Sequence, residues 1–544
     1  MSASFWRRHR GIKWIGCSVL AVIVALAIGV SIALRHAEPY VRARIVAALE
    51  DHFHARVELD SFHLSLGNGM WAEGKGLRIW PPAQVAGVVV PGPAATVPAD
   101  QPLIRLDSFR FHAPLHFAPG SPLHISVVEL EGLTVQMPPR SRFEHGLAAE
   151  AKPSGAGKAA LQFEIDTITC RNARLVVETS KPGKLPLEFP ISRLTLTHVS
   201  NGGAMGYDAE LINPRPNGPI HATGSFGPWV VADPGQSAVT GAYQFDHADL
   251  SVFKGIAGIL TSTGRYQGTL RNITVDGETD TPDFRLTHFG NAMALHTTFH
   301  ATVDGTDGDT WLDPVDATLG GSHFTAQGQI VRVVVATPGA PPHSIGHDID
   351  LKVTVDRGRI EDFLRLASRT QTPLLTGAVA VKTTLHIPPG SQPIHERLSL
   401  NGHFTLQQVA FTSAKIQDRI EELSLRGQGR PKDVKITAPD TIQSAMQGDF
   451  QMAAGVITLP NLTYTVPGAE IDLHGTYGVE GGALQFTGTA KLAATVSQVV
   501  GGWKGVLLKS LDRHFQKDGA GTEVPIHVGG TRDAPSFGVD LKKF

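Results

Sequence analysis

The sequence predicts a mainly β protein: a long, curved, largely antiparallel sheet that forms a β-groove, with a few short helices and one N-terminal transmembrane helix. Three observations support this prediction. Apolar and polar residues alternate over most of the chain, which is the spacing of β-strands. Helical spacing of apolar residues is rare. Glycine (58) and proline (36) are frequent among the 544 residues, as expected for many short strands and turns.

The alternation is clearest from residue 161 to the mid-400s, where runs of about five to ten residues place Leu, Ile, Val or Phe at every second position. Examples are LQFEIDTITCRNARLVVETS, ISRLTLTHVS, YQGTLRNITVDG, MALHTTFHATVDG and IDLKVTVDRG. Residues 57–66 also alternate, but the apolar positions change parity between Leu59 and Phe62. That change predicts a strand with a bulge, or two strands. Residues 81–102 and 138–160 have no period and are predicted to be loops.

The predicted membrane helix is WIGCSVLAVIVALAIGVSIAL, residues 14–34, which carries no charge over 21 positions. A helix of that length spans roughly 30 Å, the thickness of a bilayer's hydrocarbon core. Three arginines and a lysine lie within residues 7–13, so the positive-inside rule predicts a cytoplasmic N-terminus and export of the remaining chain. A cleaved secretory signal is the alternative. Against it, the apolar run exceeds the usual length of about 7–15 residues, and cleavage after Ala37 would put Arg35 where a small residue belongs.

Three further segments have helical spacing. Residues 38–53, EPYVRARIVAALEDHF, place apolar side chains on one face after an early proline. RIEDFLRLAS, from Arg359, is the second segment. The third, residues 496–515, has one apolar stripe formed by Val496, Val500, Trp503, Leu507, Leu511 and Phe515.

Composition excludes some classes of protein. The net charge of −2 provides neither a basic surface for nucleic acid nor an acidic tail, so nucleic-acid binding is not expected. The only cysteines are Cys17, inside the membrane segment, and Cys170, beyond it. They cannot pair in this topology, so burial and backbone hydrogen bonds must hold the exported part together.

The motifs of enzymes and metal sites are incomplete. GMWAEGKG, residues 69–76, matches a phosphate-binding loop except that Gly76 replaces the Ser or Thr that holds magnesium, and LRIW after it has a strand pattern. HERLS, from His395, lacks the second histidine of a zinc-protease helix. The aspartates of residues 304–313 miss the calcium-loop spacing and predict a solvated turn. We therefore expect no enzyme activity, cofactor, catalytic residue or metal ligand, and the sequence leaves the substrate-binding residues unknown.

The shortage of helices has a physical consequence. A sheet with one apolar face must cover that face with helices, a second sheet, its own curvature or a non-protein molecule. The predicted helices are too few to cover all the strands. Stacked β-sandwiches, a closed barrel and a long curved sheet that accepts lipid all remain open.

Three C-terminal segments carry a resemblance to a known family. They are LSLNGHFTLQQVAFTSAKIQDRIEELSLRGQG (398–429), GDFQMAAGVITLPNLTYTVPGAEIDLHGTYGVEGGALQFTGTAKL (448–492) and VPIHVGGTRDAPSFGVDL (524–541). In order and spacing they resemble the closing module of the AsmA family of bacterial envelope proteins. The residues that carry the resemblance are Gly402, Phe404, Asp418, Ile420, Gly448, Phe450, Gly475, Pro525, Gly530, Pro535 and Phe537. The membrane helix and the segment after it are similar to the start of the family, and residues 103–389 match in style only.

The resemblance implies a groove lined with apolar side chains and a role in outer-membrane biogenesis, with phospholipid passage between the membranes expected for the larger relatives. It divides the chain into a cytoplasmic N-terminus and anchor (1–35), a periplasmic β-rich region (36–390) and an AsmA-like C-terminal β module (391–544). With ~25 strands stacked at ~4.8 Å, the groove would extend about 120 Å. That is shorter than the bridge expected of the largest relatives.

The sequence therefore predicts a single-pass protein of the bacterial inner membrane, with its bulk in the periplasm, that binds or conducts phospholipid along a β-groove. Its expected partners are membrane lipids, through their acyl chains, and envelope proteins. The alternative is a structural or scaffolding protein of β-sandwich modules with no lipid conduit. An anchored hydrolase has no group of residues to support it.

Overall fold

The computed structural model describes residues 38–43, 45–47, 49–50, 56–67, 69–80, 102–113, 123–137, 163–177, 186–200, 202–228, 230, 234–253, 255–287, 290–305, 308–335, 343–368, 370–430, 443–479, 481–500, 509, 512, 521–532 and 534–539. The predicted membrane helix (14–34) lies outside the described residues, as do the predicted loops except for Pro102. Among the described residues, no helix is both long enough and apolar enough to cross a membrane.

The prediction of a mainly β protein with largely antiparallel strands and a few short helices is confirmed. The described chain divides into two compact units. One contains the described residues of 1–214 and 220–237, and the other contains those of 215–219, 238–335 and 343–544.

The strands of the first unit pair in sequence order. The pairs are antiparallel except for β4 with β5, which run parallel. The strands are β1 (Val57–Gly67), β2 (Gly69–Ile79), β3 (Ile104–Ala113), β4 (Leu123–Met137), β5 (Phe163–Val177), β6 (Leu187–Ser200) and β7 (Met205–Pro214). β8 (Asn217–Phe226) follows in the chain.

The predicted bulge or break in the first strand is absent. β1 is one strand and keeps a single register with β2 along its length, yet its buried positions change parity between Leu59 and Phe62. β2 changes parity at the same level, at Gly76, where φ is +69° and a Cβ would lie 2.0 Å from Oδ2 of Asp60. Because both strands switch faces together, the apolar side stays continuous without an extra residue.

Every strand pair of the second unit is antiparallel. The pairing follows sequence order except at the two-residue strand Ile256–Ala257, which pairs with Asn272–Leu286, while Ala238–Asp249 pairs with Ile259–Thr269. The strands are β9 (Ala238–Asp249), β10 (Ile256–Ala257), β11 (Ile259–Thr269), β12 (Asn272–Leu286), β13 (Met293–Val303), β14 (Thr310–Leu319), β15 (Ser322–Val335), β16 (His343–Arg359), β17 (Leu375–Ile387), β18 (Ser399–Phe411), β19 (Ala445–Ala453), β20 (Val456–Val466), β21 (Ala469–Gly478), β22 (Leu484–Leu492), β23 (Thr522–Thr531) and β24 (Ala534–Val539).

Two of the predicted helices are confirmed where they are described, and the third is confirmed only at its start. The helical residues 38–43, 45–47 and 49–50 form α1, and Arg359 directly precedes α2 (Ile360–Leu366). The predicted C-terminal helix begins as expected, at α5 (Val496–Val500), but it is not one continuous helix over residues 496–515. Lys509 lies in a turn, and Asp512 accepts hydrogen bonds from the N–H and the hydroxyl of Ser497, at 2.9 and 2.8 Å, although a continuous helix would hold the two residues about 22 Å apart. The other residues of the predicted stripe lie outside the described residues. Two short 3₁₀ turns, Pro234–Gln236 and Leu250–Val252, complete the helical elements together with α3 (Ile394–Arg397) and α4 (Ala414–Gly427).

The sequence prediction missed α4, the longest helix whose two ends are described. Its signal is present: Ile416, Ile420 and Leu423 follow helical spacing, and Ser413 occupies the N-cap position. This segment enters the sequence prediction only as part of the family resemblance. The helix therefore adds to the number of elements that cover the sheet of the second unit.

Each unit has one buried core where helices pack on strands. In the first, Val41, Ile45 and Leu49 of α1 contact a cluster on β1 to β3 that includes Phe62 and Phe109. In the second, side chains of α2, α4 and α5 contact a cluster on β16 to β22. Burial of an apolar side chain contributes about 1.5–3 kcal/mol, so these two places are major sources of packing stability.

Candidate functional site: an apolar sheet face

The strand register of the second unit aligns apolar residues from one strand to the next. Cα partners on antiparallel neighbours point to the same face, so a chain of partners forms a row across the sheet. One row crosses all strands from β12 to β22, and every member is apolar, aromatic or glycine. This apolar row consists of Val275, Ala301, Leu312, Gly328, Leu351, Leu385, Leu400, Met452, Ile457, Tyr477 and Leu484.

Shorter rows flank the apolar row on the same face. One contains Ile273, Val303, Thr310, Ile330, Ile349 and Ile387. The other contains Gly277, Phe299, Val315, Ala326, Val353, Thr383, Gly402 and Phe450. Residues two apart on a strand are about 7 Å apart, so the three rows form a strip about 14 Å wide, which we call the apolar face.

The opposite face of the same strands is polar. The row adjacent to the apolar row contains Gln327, Lys352, Thr384, Asn401, Gln451, Thr458, Thr476 and Gln485. A sheet with this contrast presents one side to water. Its other side must be covered by apolar material.

Cross-strand pairs of histidine and aspartate lie on the polar face. Nδ1 of His300 lies 2.7 Å from Oδ1 of Asp276, and Nδ1 of His403 lies 2.8 Å from Oδ1 of Asp449. Hydrogen bonds from Asn461 and from His403 hold the pKa of Asp449 below its ordinary value. These groups are exposed, so each pair adds little to stability and mainly fixes strand register.

Nine of the eleven members of the apolar row retain accessible surface, and Ala301 and Met452 are buried. Leu351, Leu385 and Leu400 are only half-buried, and the strand neighbours on the polar side, such as Lys352 and Asn401, are exposed. The apolar row belongs to neither buried cluster. Side chains sealed between two protein layers are close-packed and nearly inaccessible. The half-burial seen here is what side-by-side neighbours on one sheet provide without a complete second layer.

Aromatic rings cover glycines across the strands of this face. A Cβ on Gly277 would lie 2.8 Å from the ring of Phe299, its Cα partner. Two further pairs of glycine and phenylalanine partners occur among the residues that carry the family resemblance: Phe404 is the partner of Gly448, and Phe450 is the partner of Gly402. The rings of Phe404 and Phe450 lie with centroids 6.2 Å apart. The rings therefore extend the apolar surface over exposed backbone.

A polar network fixes α2 beside the turn between β14 and β15. The buried carboxylate of Asp362 accepts hydrogen bonds from the Gly321 N–H, at 3.0 Å, and the Ser322 hydroxyl, at 2.8 Å. Glu361 accepts hydrogen bonds from Arg359 Nε, at 2.8 Å, and the Gly377 N–H, at 3.3 Å. These bonds attach α2 to three strands and hold it in contact with the buried cluster.

Burial and hydrogen bonding act in opposite directions on Glu361. Burial raises the pKa of this carboxyl, but hydrogen bonds from backbone N–H groups and from Arg359 outweigh that effect, so the pKa is lowered overall. The carboxylate is therefore charged at neutral pH, which its role as an acceptor requires.

The three segments that partly match enzyme or metal motifs are found in a strand, a short helix and a turn of the described structure. GMWAEGKG forms most of β2 and pairs with strands on both sides, so it is not a phosphate-binding loop. The histidine of HERLS lies in the four-residue α3. Asp304 and Asp309 lie in the predicted turn between β13 and β14, where the Asp304 N–H donates to the Asp309 carbonyl at 2.8 Å.

Cys170 is a free, buried thiol in the first unit. Burial raises its pKa, so it is a poor nucleophile at neutral pH. Its cross-strand environment gives it the role of a small apolar side chain.

The chain matches no protein-family model and none of the curated proteins with which it was compared. The apolar face therefore rests on geometry alone. The sequence named no substrate-binding residue, because alternation shows which residues share a face of one strand but does not show which strands are neighbours.

Proposed function

We propose that this chain binds acyl chains of membrane lipids along the apolar face of its second unit. The observation that carries the proposal is the apolar row, which continues across eleven strands and keeps accessible surface. Ten strand spacings of ~4.8 Å make the row about 48 Å long. One leaflet of a bilayer's hydrocarbon core is about 15 Å thick, so an acyl chain laid along the row would cross about three strands.

The chemistry of the face suits binding without catalysis. An acyl chain gains about 0.8 kcal/mol for each buried methylene, and the face offers it no hydrogen-bonding group to hold one position. A lipid on such a surface is retained and yet able to slide. The polar headgroup remains in water beyond the strip, which is about 14 Å wide.

The wider cellular role follows from this proposal together with the sequence. An anchor at residues 14–34 would place the acyl-binding face beside a reservoir of lipid, on the periplasmic side of a bacterial inner membrane. The resemblance to the AsmA family supports a role in outer-membrane biogenesis. Phospholipid is the ligand we propose, and the sheet would curve into a groove around it.

Lipid analysis and photo-crosslinking test the proposal. Full-length protein is purified in a mild detergent, and its lipids are extracted and identified by mass spectrometry. A photo-crosslinking amino acid is then placed at Leu351 or Leu400 in cells, with Lys352 and Asn401 as matched positions on the opposite face. We expect phospholipid adducts at the two leucine positions only.

Two results would reject lipid binding. One is purified protein without phospholipid combined with no adduct at any position. The other is equal labelling on the two faces, which would reflect detergent-like contact without a defined site. Crosslinks from the leucine positions to other proteins would favour the scaffolding alternative.

A further inference from the structure

A group of three ionisable side chains on the polar face differs from the other histidine–aspartate pairs. Asp348 and Asp350 lie two residues apart on β16, so they share a face, and His386 on β17 is the Cα partner of Asp350. His386 Nδ1 lies 2.8 Å from Oδ1 of Asp350, and its Nε2 lies 3.7 Å from Oδ1 of Asp348. One donor atom from each residue falls within 4.8 Å of the others.

The composition of this group leaves an excess of negative charge. His296 and His300 each have one carboxylate within ion-pair distance, whereas His386 has two. In the described part of the chain, neither Asp348 nor Asp350 forms an ion pair with lysine or arginine. One imidazole cannot neutralise two carboxylates, even when it is protonated. A divalent cation would neutralise them.

We propose that Asp348, Asp350 and His386 form a Zn²⁺ site that joins β16 to β17. Zinc accepts one imidazole nitrogen and carboxylate oxygens at about 2.0–2.2 Å, which places tetrahedral ligands about 3.4 Å from one another. The three donors reach that spacing by side-chain rotation, because all three side chains are partly accessible, at 24%, 49% and 44%. Calcium and magnesium prefer oxygen ligands alone, so the imidazole favours zinc over these two ions.

Strand pairing supplies the rigidity that the site needs. The ladder between β16 and β17 fixes the backbone of all three residues through the partners Asp350 and His386 and, one residue away, Ile349 and Ile387. These isoleucines point to the apolar face directly behind the site. Zinc would therefore hold the two strands together beneath the apolar surface, and its fourth ligand would be water because the group faces solvent.

A zinc-competition experiment tests the site. Full-length protein is stripped with a chelator, and Zn²⁺ is titrated in the presence of a chromophoric chelator that suppresses weak binding to scattered histidines. We expect one competing site per chain in the unmodified protein and none in Asp348→Asn or His386→Gln. The control is His403→Gln, which breaks a pair with a single carboxylate on the same face and should leave the site intact.

Spectroscopy and folding controls complete the test. X-ray absorption of the zinc-loaded protein should report one imidazole with oxygen ligands, and Mg²⁺ should not compete. Asp348→Asn leaves the 2.8 Å pair between His386 and Asp350 in place, so its circular dichroism should match that of the unmodified protein. Retention of the site in both variants, or an equal loss in His403→Gln, would overturn the proposal, and neither outcome depends on lipid binding.

Discussion

A charge placed in the middle of the apolar row gives the sharpest test of lipid binding. Leu385 lies on β17 between Leu351 and Leu400, with five members of the row on one side of its strand and five on the other. Leu385→Lys puts an ammonium group into the strip, and an acyl chain cannot cross it without desolvating the charge. Thr384→Lys is the matched control, because Thr384 is the preceding residue and points to the polar face.

The expected effect follows from the strand spacing. An acyl chain that crosses one spacing of ~4.8 Å lays about four methylenes on the sheet. Full burial gives about 0.8 kcal/mol per methylene, and an open face covers roughly half of the chain, so each crossing contributes about 1.5 kcal/mol. An acyl chain that crosses Leu385→Lys therefore binds about tenfold more weakly, whereas an acyl chain that lies wholly on the five strands to either side of β17 is unaffected.

The assay is displacement of a fluorescent fatty-acyl probe from purified full-length protein, with phospholipid as competitor. In Leu385→Lys the probe that spans β17 should bind about tenfold more weakly, so that less probe is bound per chain at a fixed probe concentration, and Thr384→Lys should bind like the unmodified chain. Leu385 is half-buried, so thermal unfolding should confirm that both variants fold. Equal affinities of the two variants would refute the assignment of the ligand to this face.

Three further predictions concern the frame that supports the face. Gly328→Ala should lower the free energy of unfolding by about 2 kcal/mol or more, since φ there is +150° and a Cβ would lie 2.0 Å from the Asp350 carbonyl oxygen. Gly481→Ala is the control, because a Cβ at Gly481 would meet open space. Equal midpoints of urea unfolding for the two variants would contradict the reasoning. Asp362→Ala should cost about 3 kcal/mol by the same measurement, because it leaves a buried N–H and hydroxyl without an acceptor, and a loss under about 1 kcal/mol would contradict this. The pKa of Glu361 is lowered in the folded protein, so its carboxylate stabilises the fold at pH values above its unfolded pKa near 4.5, and this stabilisation is lost as the pH falls through the folded pKa. Glu361→Gln should remove that part of the acid-unfolding profile. An unchanged profile would count against this role of Glu361.

The class of fold could be predicted from the sequence because a strand with one apolar face has alternating apolar and polar residues. Alternation predicted the strands, and the helical stripe of residues 38–53 predicted α1. The pattern failed at α4, where Ile416, Ile420 and Leu423 are helical in spacing but lie among strand-like segments. It also failed at β1, where no bulge forms, because the buried positions of β2 change parity at the same level, at Gly76.

The candidate site was beyond sequence reasoning for a different reason. Each member of the apolar row is an ordinary strand residue, and the row exists only through register across neighbouring strands. The same holds for Asp348, Asp350 and His386, since the histidine is 36 residues from the nearer aspartate and is brought beside it by pairing of β16 with β17. Such sites leave no local motif, because their spacing depends on the length of the connections.

The stability of the second unit should depend on whether its apolar face is occupied. Exposed cross-strand ion pairs contribute little, and the buried cluster on β16 to β22 is where helices cover the sheet. Strands β12 to β14 therefore depend mainly on backbone pairing and on contacts between neighbours on an accessible apolar face. A ligand that binds this face only in the folded state adds stability in proportion to the logarithm of its concentration over Kd. On this reasoning, lipid should raise the thermal midpoint of the unmodified chain and raise that of Leu385→Lys less at the same concentration, which links occupancy of the face to the folding of the strands that form it.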